Sequence, residues 1–112
     1  MKLEKNAEAP AFKLFDHEGR TVGLKDFAGS KVLVYFYPKA DTPGCTAQAC
    51  SLRDAWGELK QAGVTVLGIS PDPVAKQKKF ADKYGLNFAL LSDEDHAVAE
   101  AYDVWAEKSM YG

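Results

Sequence analysis

The sequence of 112 residues lacks the features that mark several large classes of protein. It has no apolar run near the roughly 18–20 residues that cross a bilayer, and its first residues, Met1–Asn6, lack the apolar core of a signal peptide. Its 14 basic and 16 acidic side chains leave a formal charge of −2, which argues against binding to nucleic acid or to an anionic membrane. We therefore expect a cytoplasmic protein with neither partner.

Cysteine is scarce too, since the chain contains only Cys45 and Cys50. In a reducing cytosol such residues are more often catalytic, redox-sensing or metal-binding than joined in a permanent disulfide. Their spacing differs from the Cys-x-x-Cys of disulfide oxidoreductases, and it does not supply enough ligands for a tetrahedral zinc site. A pair of buried cysteines that act as small hydrophobic side chains is the structural alternative.

The length and a hydrophobic content of 46% are typical of one globular domain spanning residues 1–112. Turn-forming residues between two short apolar segments near the N-terminus predict a β-hairpin. Strands and helices then alternate, which favours an α/β fold with a parallel sheet flanked by helices. The predicted strands are Val32–Tyr37, Val64–Ser70 and Phe88–Leu91, and the predicted helices are Pro43–Lys60, Pro73–Tyr84 and His96–Tyr102.

Smaller features complete this prediction. The segment Ser70–Pro73 is expected to form a turn and to cap the helix after it, and the acidic run Asp93–Asp95 is expected to cap the last helix. Trp56 is predicted on the apolar side of the helix that begins at Pro43. His17 and His96 are interpreted as solvated loop and surface residues.

The apolar run Val32–Tyr37 is rich in β-branched and aromatic residues, which is typical of a strand that is covered on both faces. Pro38 ends it. Thr42 is then predicted to cap a helix with its hydroxyl, and Pro43 suits the first helical position. Cys45 therefore falls in the first turn, where free backbone N–H groups stabilise the nucleophilic thiolate.

Cys50 lies five positions further along the same helix. In an unbroken helix the two Cα atoms would be roughly 8–9 Å apart, beyond the ~7 Å within which a disulfide forms without backbone movement. If the two cysteines pair, the helix must therefore unwind locally.

The pattern Pro38-x-x-x-Thr42-x-x-Cys45 resembles the active site of the peroxiredoxins, and the segment from Tyr35 through Cys50 is similar to their bacterioferritin comigratory protein (peroxiredoxin Q) branch. The resemblance extends over nearly the whole chain. It includes Ala9–Gly19, Val66–Ser70, Leu90–Asp93 and Tyr102–Trp105.

This resemblance implies a thioredoxin-like fold and a thiol-dependent peroxidase that reduces hydrogen peroxide and organic hydroperoxides. Cys45 would be the peroxidatic cysteine that becomes a sulfenic acid, and Cys50 the resolving cysteine that joins it in a disulfide. Thioredoxin or a similar dithiol would then reduce that disulfide. Thr42 would orient the thiolate and the peroxide, and Pro38 would shield the site from water. The resemblance implies a monomer and no metal, haem or flavin.

The sequence departs from the family at its C-terminal end. In the family, an arginine follows the region that corresponds to Trp105 and Lys108, and these 112 residues do not contain it. The family's C-terminal hairpin and last helix are absent from the 112 residues, so we expect the domain to be incomplete and the strand Val32–Tyr37 to lie at a sheet edge open to self-association. Arg20 and Arg53 are the available arginines, and Arg53 is expected to lie too far along the helix to substitute. Without that arginine, peroxide reduction would be slower by about two to three orders of magnitude.

Two other functions remain open for this sequence. One is a truncated, non-catalytic thioredoxin-like module that associates through its exposed edge. The other is a dithiol redox sensor or oxidoreductase.

Overall fold

The computed structural model describes residues 8–102 and residue 104. The strands are β1 (Lys13–Asp16), β2 (Thr21–Gly23), β3 (Lys31–Phe36), β4 (Val64–Ser70) and β5 (Ala89–Ser92). The helices are α1 (Pro43–Asp54), α2 (Trp56–Gln61), α3 (Val74–Tyr84) and α4 (Ala97–Ala101), with a short 3-10 helix at Leu24–Phe27. These bounds confirm the predicted alternation of strands and helices after the N-terminal hairpin.

The strands form one sheet in the order β2-β1-β5-β4-β3. β4 pairs in parallel with both β3 and β5, whereas β1 pairs antiparallel with β2 and with β5. The predicted hairpin is therefore confirmed, and it extends the sheet through the pairing of β1 with β5. The sheet is mixed, with a parallel half that carries α1 and α3 and an antiparallel half built by the hairpin.

The expectation that the run at β3 is covered on both faces is confirmed only in part, because Tyr35 packs in the core of one face and Val34 and Phe36 pack against the core of the other, but the strand is not fully buried. Leu33 is 39% exposed and Tyr35 is the buried residue of this strand, whereas β4 is buried from Val66 to Ser70. The reason is position, because β4 has a neighbour on each side and β3 is the last strand of the described part of the sheet. The edge position itself agrees with the expectation from the sequence.

Each face of the sheet carries its own group of buried side chains, as the alternation of side chains along a strand requires. On one face, Val66 and Leu90 pack with residues of α1 and α3, including Cys45 and Phe80. On the other face, Leu67, Ile69 and Leu91 pack with Val98 of α4. Cys45 thus lies on the face covered by α1 and α3.

The predicted helix Pro43–Lys60 is two helices, because Ala55 leaves α-helical geometry and separates α1 from α2. Trp56, expected on the apolar side, is 39% exposed. Leu52 and Leu59 do pack against the buried group beneath them. α1 is therefore a short helix of 12 residues that ends soon after Cys50.

The structure confirms one predicted cap and corrects two other expectations. The Asp93 carboxylate accepts the N–H groups of Val98 and Ala99, so the acidic run does begin α4. No side chain of the segment before α3 caps that helix. The N-cap residue of α3 is Pro73, whose side chain makes no hydrogen bond to the helix. His17 is half-buried and its Nδ1 accepts the N–H of Leu90 at 3.3 Å, so it is not a solvated loop residue.

Position 68 in β4 requires glycine because the side chain of Tyr35 passes directly over it. A Cβ at Gly68 would lie 2.9 Å from ring atoms of Tyr35, which is buried and has little room to move. We expect Gly68→Ala to lower the free energy of unfolding by about 1–3 kcal/mol, as overpacking of a core does. Urea denaturation measures this, with Gly57→Ala in α2 as the control because nothing lies within 4 Å of its added Cβ. Equal stabilities of the two variants would contradict the prediction.

Candidate active site

Cys45 lies in the first turn of α1, as the sequence predicted. The helix begins at Pro43 after an extended N-cap residue, Thr42, whose carbonyl accepts the N–H of Thr46 at 2.8 Å. Cys45 is the third residue of the helix. Its side chain is therefore close to the first backbone N–H groups of α1, which have no hydrogen-bond acceptor within the helix. This position favours a negatively charged sulfur.

The hydroxyl of Thr42 does not cap the helix, which corrects the predicted side-chain cap. It donates instead to the carbonyl of Lys39 at 2.9 Å, within the turn that leads into α1. The hydroxyl oxygen keeps its lone pairs for an incoming donor. Thr42 therefore shapes the turn in front of Cys45, and its hydroxyl oxygen can still accept a hydrogen bond.

The two cysteines are free thiols on one continuous helix. Cys45 is 9% exposed and packs with Tyr35, Tyr37 and Ala49, whereas Cys50 is half-buried. The intact helix keeps the sulfurs apart, in agreement with the separation expected from helical geometry. The structure thus describes the dithiol form, and pairing of the two sulfurs requires α1 to open.

A buried chain of hydrogen bonds supports the loop in front of α1, and sequence reasoning did not find it. The hydroxyl of Tyr37 donates to the side-chain oxygen of Gln77, and Gln77 Nε2 donates to Ser70 Oγ at 2.8 Å. Ser70 Oγ donates to Asp72 Oδ2 at 2.8 Å, and that oxygen also accepts the N–H of Ala40 at 2.7 Å. Asp72 therefore holds the loop in front of α1, which we call the active-site loop, and does not cap α3.

A sequence signal for this network exists in α3. Gln77 occupies the same helical face as Phe80, Ala81 and Tyr84, at spacings of three, four and seven residues, and it is fully buried. A polar residue in such a register has to find hydrogen-bond partners inside the protein.

Pro38, predicted at the end of the strand, lies half-buried just after β3 and next to Tyr37 of this network.

The side chain of Tyr35 lies in the same buried group as Cys45 and Tyr37. Burial raises the pKa of Tyr35, and the charge of the Cys45 thiolate raises it further, so the phenol stays protonated. Its hydroxyl is buried and has no hydrogen-bond partner in the part of the chain that the structure describes. A neutral donor thus lies beside the sulfur without a partner of its own.

We expect Tyr35→Phe to raise the free energy of unfolding by about 1 kcal/mol, because the change removes a buried hydroxyl that forms no hydrogen bond. Urea denaturation of the reduced protein measures it. Tyr37→Phe is the matched control and should be destabilising, since the Tyr37 hydroxyl has a partner in Gln77. Equal losses in the two variants would contradict the assignment of Tyr35.

Neither arginine reaches Cys45. Arg20 pairs with Asp16 at 3.3 Å, and Arg53 pairs with Asp54 at 3.0 Å and donates to the carbonyl of Tyr84. The pKa of Arg53 is raised by its hydrogen bond and charge interaction with Asp54, and to a smaller extent by Cys50. Arg53 lies three residues after Cys50 near the end of α1, as expected from its position in the sequence, and its hydrogen bonds are made there. Trp105 and Lys108, named for the family's arginine-bearing region, lie outside the described residues.

Two searches of the described residues gave negative results. Within 8–102 and 104, no three or more His, Cys, Asp and Glu side chains are grouped so that they could hold a metal ion. None of the helices in the same ranges is long and apolar enough to cross a membrane.

The chain was compared with known proteins. The model of the AhpC/TSA family matches residues 6–112. Peroxiredoxin Bcp of Escherichia coli K12 is 62% identical over 104 residues, which are 93% of this chain and 67% of that protein. Peroxidoxin BcpB of Mycobacterium tuberculosis superposes with a TM-score of 0.84 at 38% identity, covering 87% of this chain and 64% of that one.

A solved structure of the Xanthomonas campestris bacterioferritin comigratory protein, which concerns its alkyl peroxide reduction activity, gives a TM-score of 0.84 at 39% identity. It covers 90% of this chain and 64% of that one. The chain thus spans about two thirds of the length of these relatives.

These structures confirm the predicted α/β, thioredoxin-like fold. The match to the family model covers nearly the whole chain, and the relatives named above are peroxiredoxins of one branch. The chain belongs to the AhpC/TSA family, in its bacterioferritin comigratory protein (peroxiredoxin Q) branch.

Proposed function

We propose that this chain is a thiol-dependent peroxidase for hydrogen peroxide and organic hydroperoxides, with Cys45 as the nucleophile and Cys50 as the resolving cysteine. One observation carries the proposal. A free thiol stands in the first turn of α1, and a second free thiol stands on the same helix where only local unwinding can bring it to the first. Membership of the family and the alkyl peroxide reduction of the Xanthomonas relative support it.

The first step is attack by the Cys45 thiolate on one oxygen of the peroxide bond. The O–O bond breaks, Cys45 gains an S–O bond as a sulfenic acid, and the other oxygen leaves as an alcohol or water once it takes a proton. The helix N-terminus stabilises the charged sulfur before attack. Thr42 accepts a hydrogen bond from the peroxide in this proposal, and the half-buried Pro38 limits the access of water to the sulfur.

The second step joins the sulfurs. Cys50 displaces the hydroxyl of the Cys45 sulfenic acid, so an S–S bond forms and one water leaves. A dithiol protein of the thioredoxin type then reduces the disulfide by exchange and becomes oxidised itself. No metal, haem or flavin takes part in these steps. We place the reaction in the cytoplasm, in one domain that acts as a monomer.

A non-catalytic thioredoxin-like module is the second candidate, and the edge position of β3 with its exposed Leu33 favours it. Light scattering combined with a peroxide assay separates the two. A stoichiometric oligomer that consumes no peroxide would support the module.

Titration of the reduced protein with hydrogen peroxide tests the peroxidase directly. The wild type should lose both thiols per equivalent of peroxide, and its mass should fall by two hydrogens. Cys50→Ser should instead gain one oxygen at Cys45, because the sulfenic acid then has no partner thiol in the chain. Mass spectrometry after trapping with dimedone, a reagent specific for sulfenic acids, locates the product. Slow oxidation at equal rates in Cys45→Ser and Cys50→Ser would contradict the assignment.

A further inference from the structure

The last turn of α3 contacts both ends of α1 through a single residue. The Tyr84 hydroxyl donates to Asp41 Oδ1 at 2.8 Å, just before α1 begins. The Tyr84 carbonyl accepts from Arg53 Nη1 at 2.6 Å, one residue before α1 ends. Two atoms of Tyr84 therefore hold the helix that carries both cysteines.

The end of α1 near Cys45 is held firmly. Asp41 accepts a second hydrogen bond from Lys83 at 2.9 Å, and this contact lowers the pKa of Asp41, so the carboxylate stays ionised. Asp41 is held with φ at +62°, which few residues other than glycine adopt. With Cys45 itself packed in the core, this end has little freedom to move.

The end of α1 near Cys50 is held by the buried Ala49 and the partly buried Leu52, which pack on the core, and by the polar contacts of Arg53. The Tyr84 carbonyl is available because Tyr84 is the last residue of α3, and the last carbonyls of a helix have no N–H partner within it. Asn87 Nδ2 donates to the backbone carbonyl of Arg53 at 3.3 Å and makes a second tie at the same place.

We propose that Arg53 and Asn87 are positioning residues that hold the Cys50 half of α1 in its helical form, so that release of their contacts limits disulfide formation. The inference rests on the proposed function. The Cys45 end stays fixed by Asp41 and the core, so the Cys50 end is the part that moves. The chemistry of the step is unchanged: the S–S bond forms, and the sulfenic hydroxyl leaves as water with the proton of the Cys50 thiol.

Single-turnover kinetics test this. The reduced protein is mixed with one equivalent of hydrogen peroxide, and samples are quenched with dimedone or with a thiol-alkylating reagent for mass spectrometry. Sulfenic acid formation depends on peroxide concentration, whereas disulfide formation does not, so the two rate constants separate. Arg53→Lys keeps a positive charge near Cys50 but lacks the planar, forked donor. Asn87→Ala removes the other tie without any change of charge.

Both variants are expected to form the disulfide about threefold to tenfold faster, with the rate constant for sulfenic acid formation unchanged. A tenfold change corresponds to about 1.4 kcal/mol in the opening equilibrium. Tyr84→Phe is the matched control, because it removes the hydroxyl and leaves the carbonyl that Arg53 uses. Its disulfide-forming rate should equal that of the wild type.

Three outcomes are informative in different ways. A wild type that forms no sulfenic acid would overturn the proposed function itself. A wild type with both phases, and variants that form the disulfide at the wild-type rate or more slowly, would overturn the positioning role alone. Acceleration in both variants but not in Tyr84→Phe would support it, since a general loss of stability would not act on one phase only.

Discussion

Cys45→Ser is expected to lower the rate of peroxide consumption by on the order of a thousandfold or more, because a serine hydroxyl is not ionised at neutral pH and cannot replace a thiolate. The side chain lies in the first turn of α1, where the helix stabilises a charge that serine would not carry. The measurement is peroxide loss with excess dithiothreitol as the reductant, which does not require a protein partner.

The matched control is Cys50→Ser, which makes the same chemical change five residues away. That variant should react with the first equivalent of peroxide at the wild-type rate, because its Cys45 and the turn in front of α1 are unchanged. Comparable loss of the first oxidation in both variants would contradict the assignment of the nucleophile. Retention of activity in Cys45→Ser would contradict it outright.

The elements that the sequence predicted well are those with local signals. The bounds of β4 were predicted to the residue, and α3 ends before Gly85, whose φ of +60° gives the left-handed turn that favours glycine after a helix. The start of α1 at Pro43 followed from proline at the first helical position. Such signals lie within a few residues of the feature they predict.

What the sequence did not predict depends on contacts between distant parts of the chain. The runs in β3 and β4 are both apolar, and their residues alone do not show that β4 is the more buried strand; the edge position of β3 was expected from the family resemblance, and the strand order accounts for the difference in burial. Asp72 has the residue type of a cap, but the turn that leads to α1 offers it the N–H of Ala40, 32 positions earlier in the chain. A side chain with several local options takes the partner that the fold brings to it.

The same holds for the candidate site. The positions of Cys45 and Cys50 on one helix could be predicted from their spacing and from the proline before them. The two hydrogen bonds that join Tyr84 to the ends of α1 could not be predicted, because they connect residues 31 and 43 positions apart. Two of the hydrogen bonds of Gln77 also join distant positions, since Tyr37 lies 40 residues before it and Leu91 lies 14 residues after it.

Gln77→Met is expected to lower the free energy of unfolding by about 3–4 kcal/mol. Methionine has a similar volume, so the change removes hydrogen bonds without opening a large cavity. It leaves the Tyr37 hydroxyl without its acceptor, and it removes the donors to Ser70 Oγ and to the carbonyl of Leu91, all inside the protein. A buried polar group that loses its partner costs about 1–3 kcal/mol.

Gln61→Met in α2 is the matched control, because Gln61 is exposed and its replacement should change stability by no more than about 0.5 kcal/mol. Urea denaturation of both reduced variants gives the comparison. Since the network ends at the N–H of Ala40, the turn before Cys45 should also lose order in Gln77→Met, and hydrogen exchange of the Ala40 amide should become faster. Equal stabilities of the two variants, or an Ala40 amide that exchanges as in the wild type, would show that the network does not support the active-site loop.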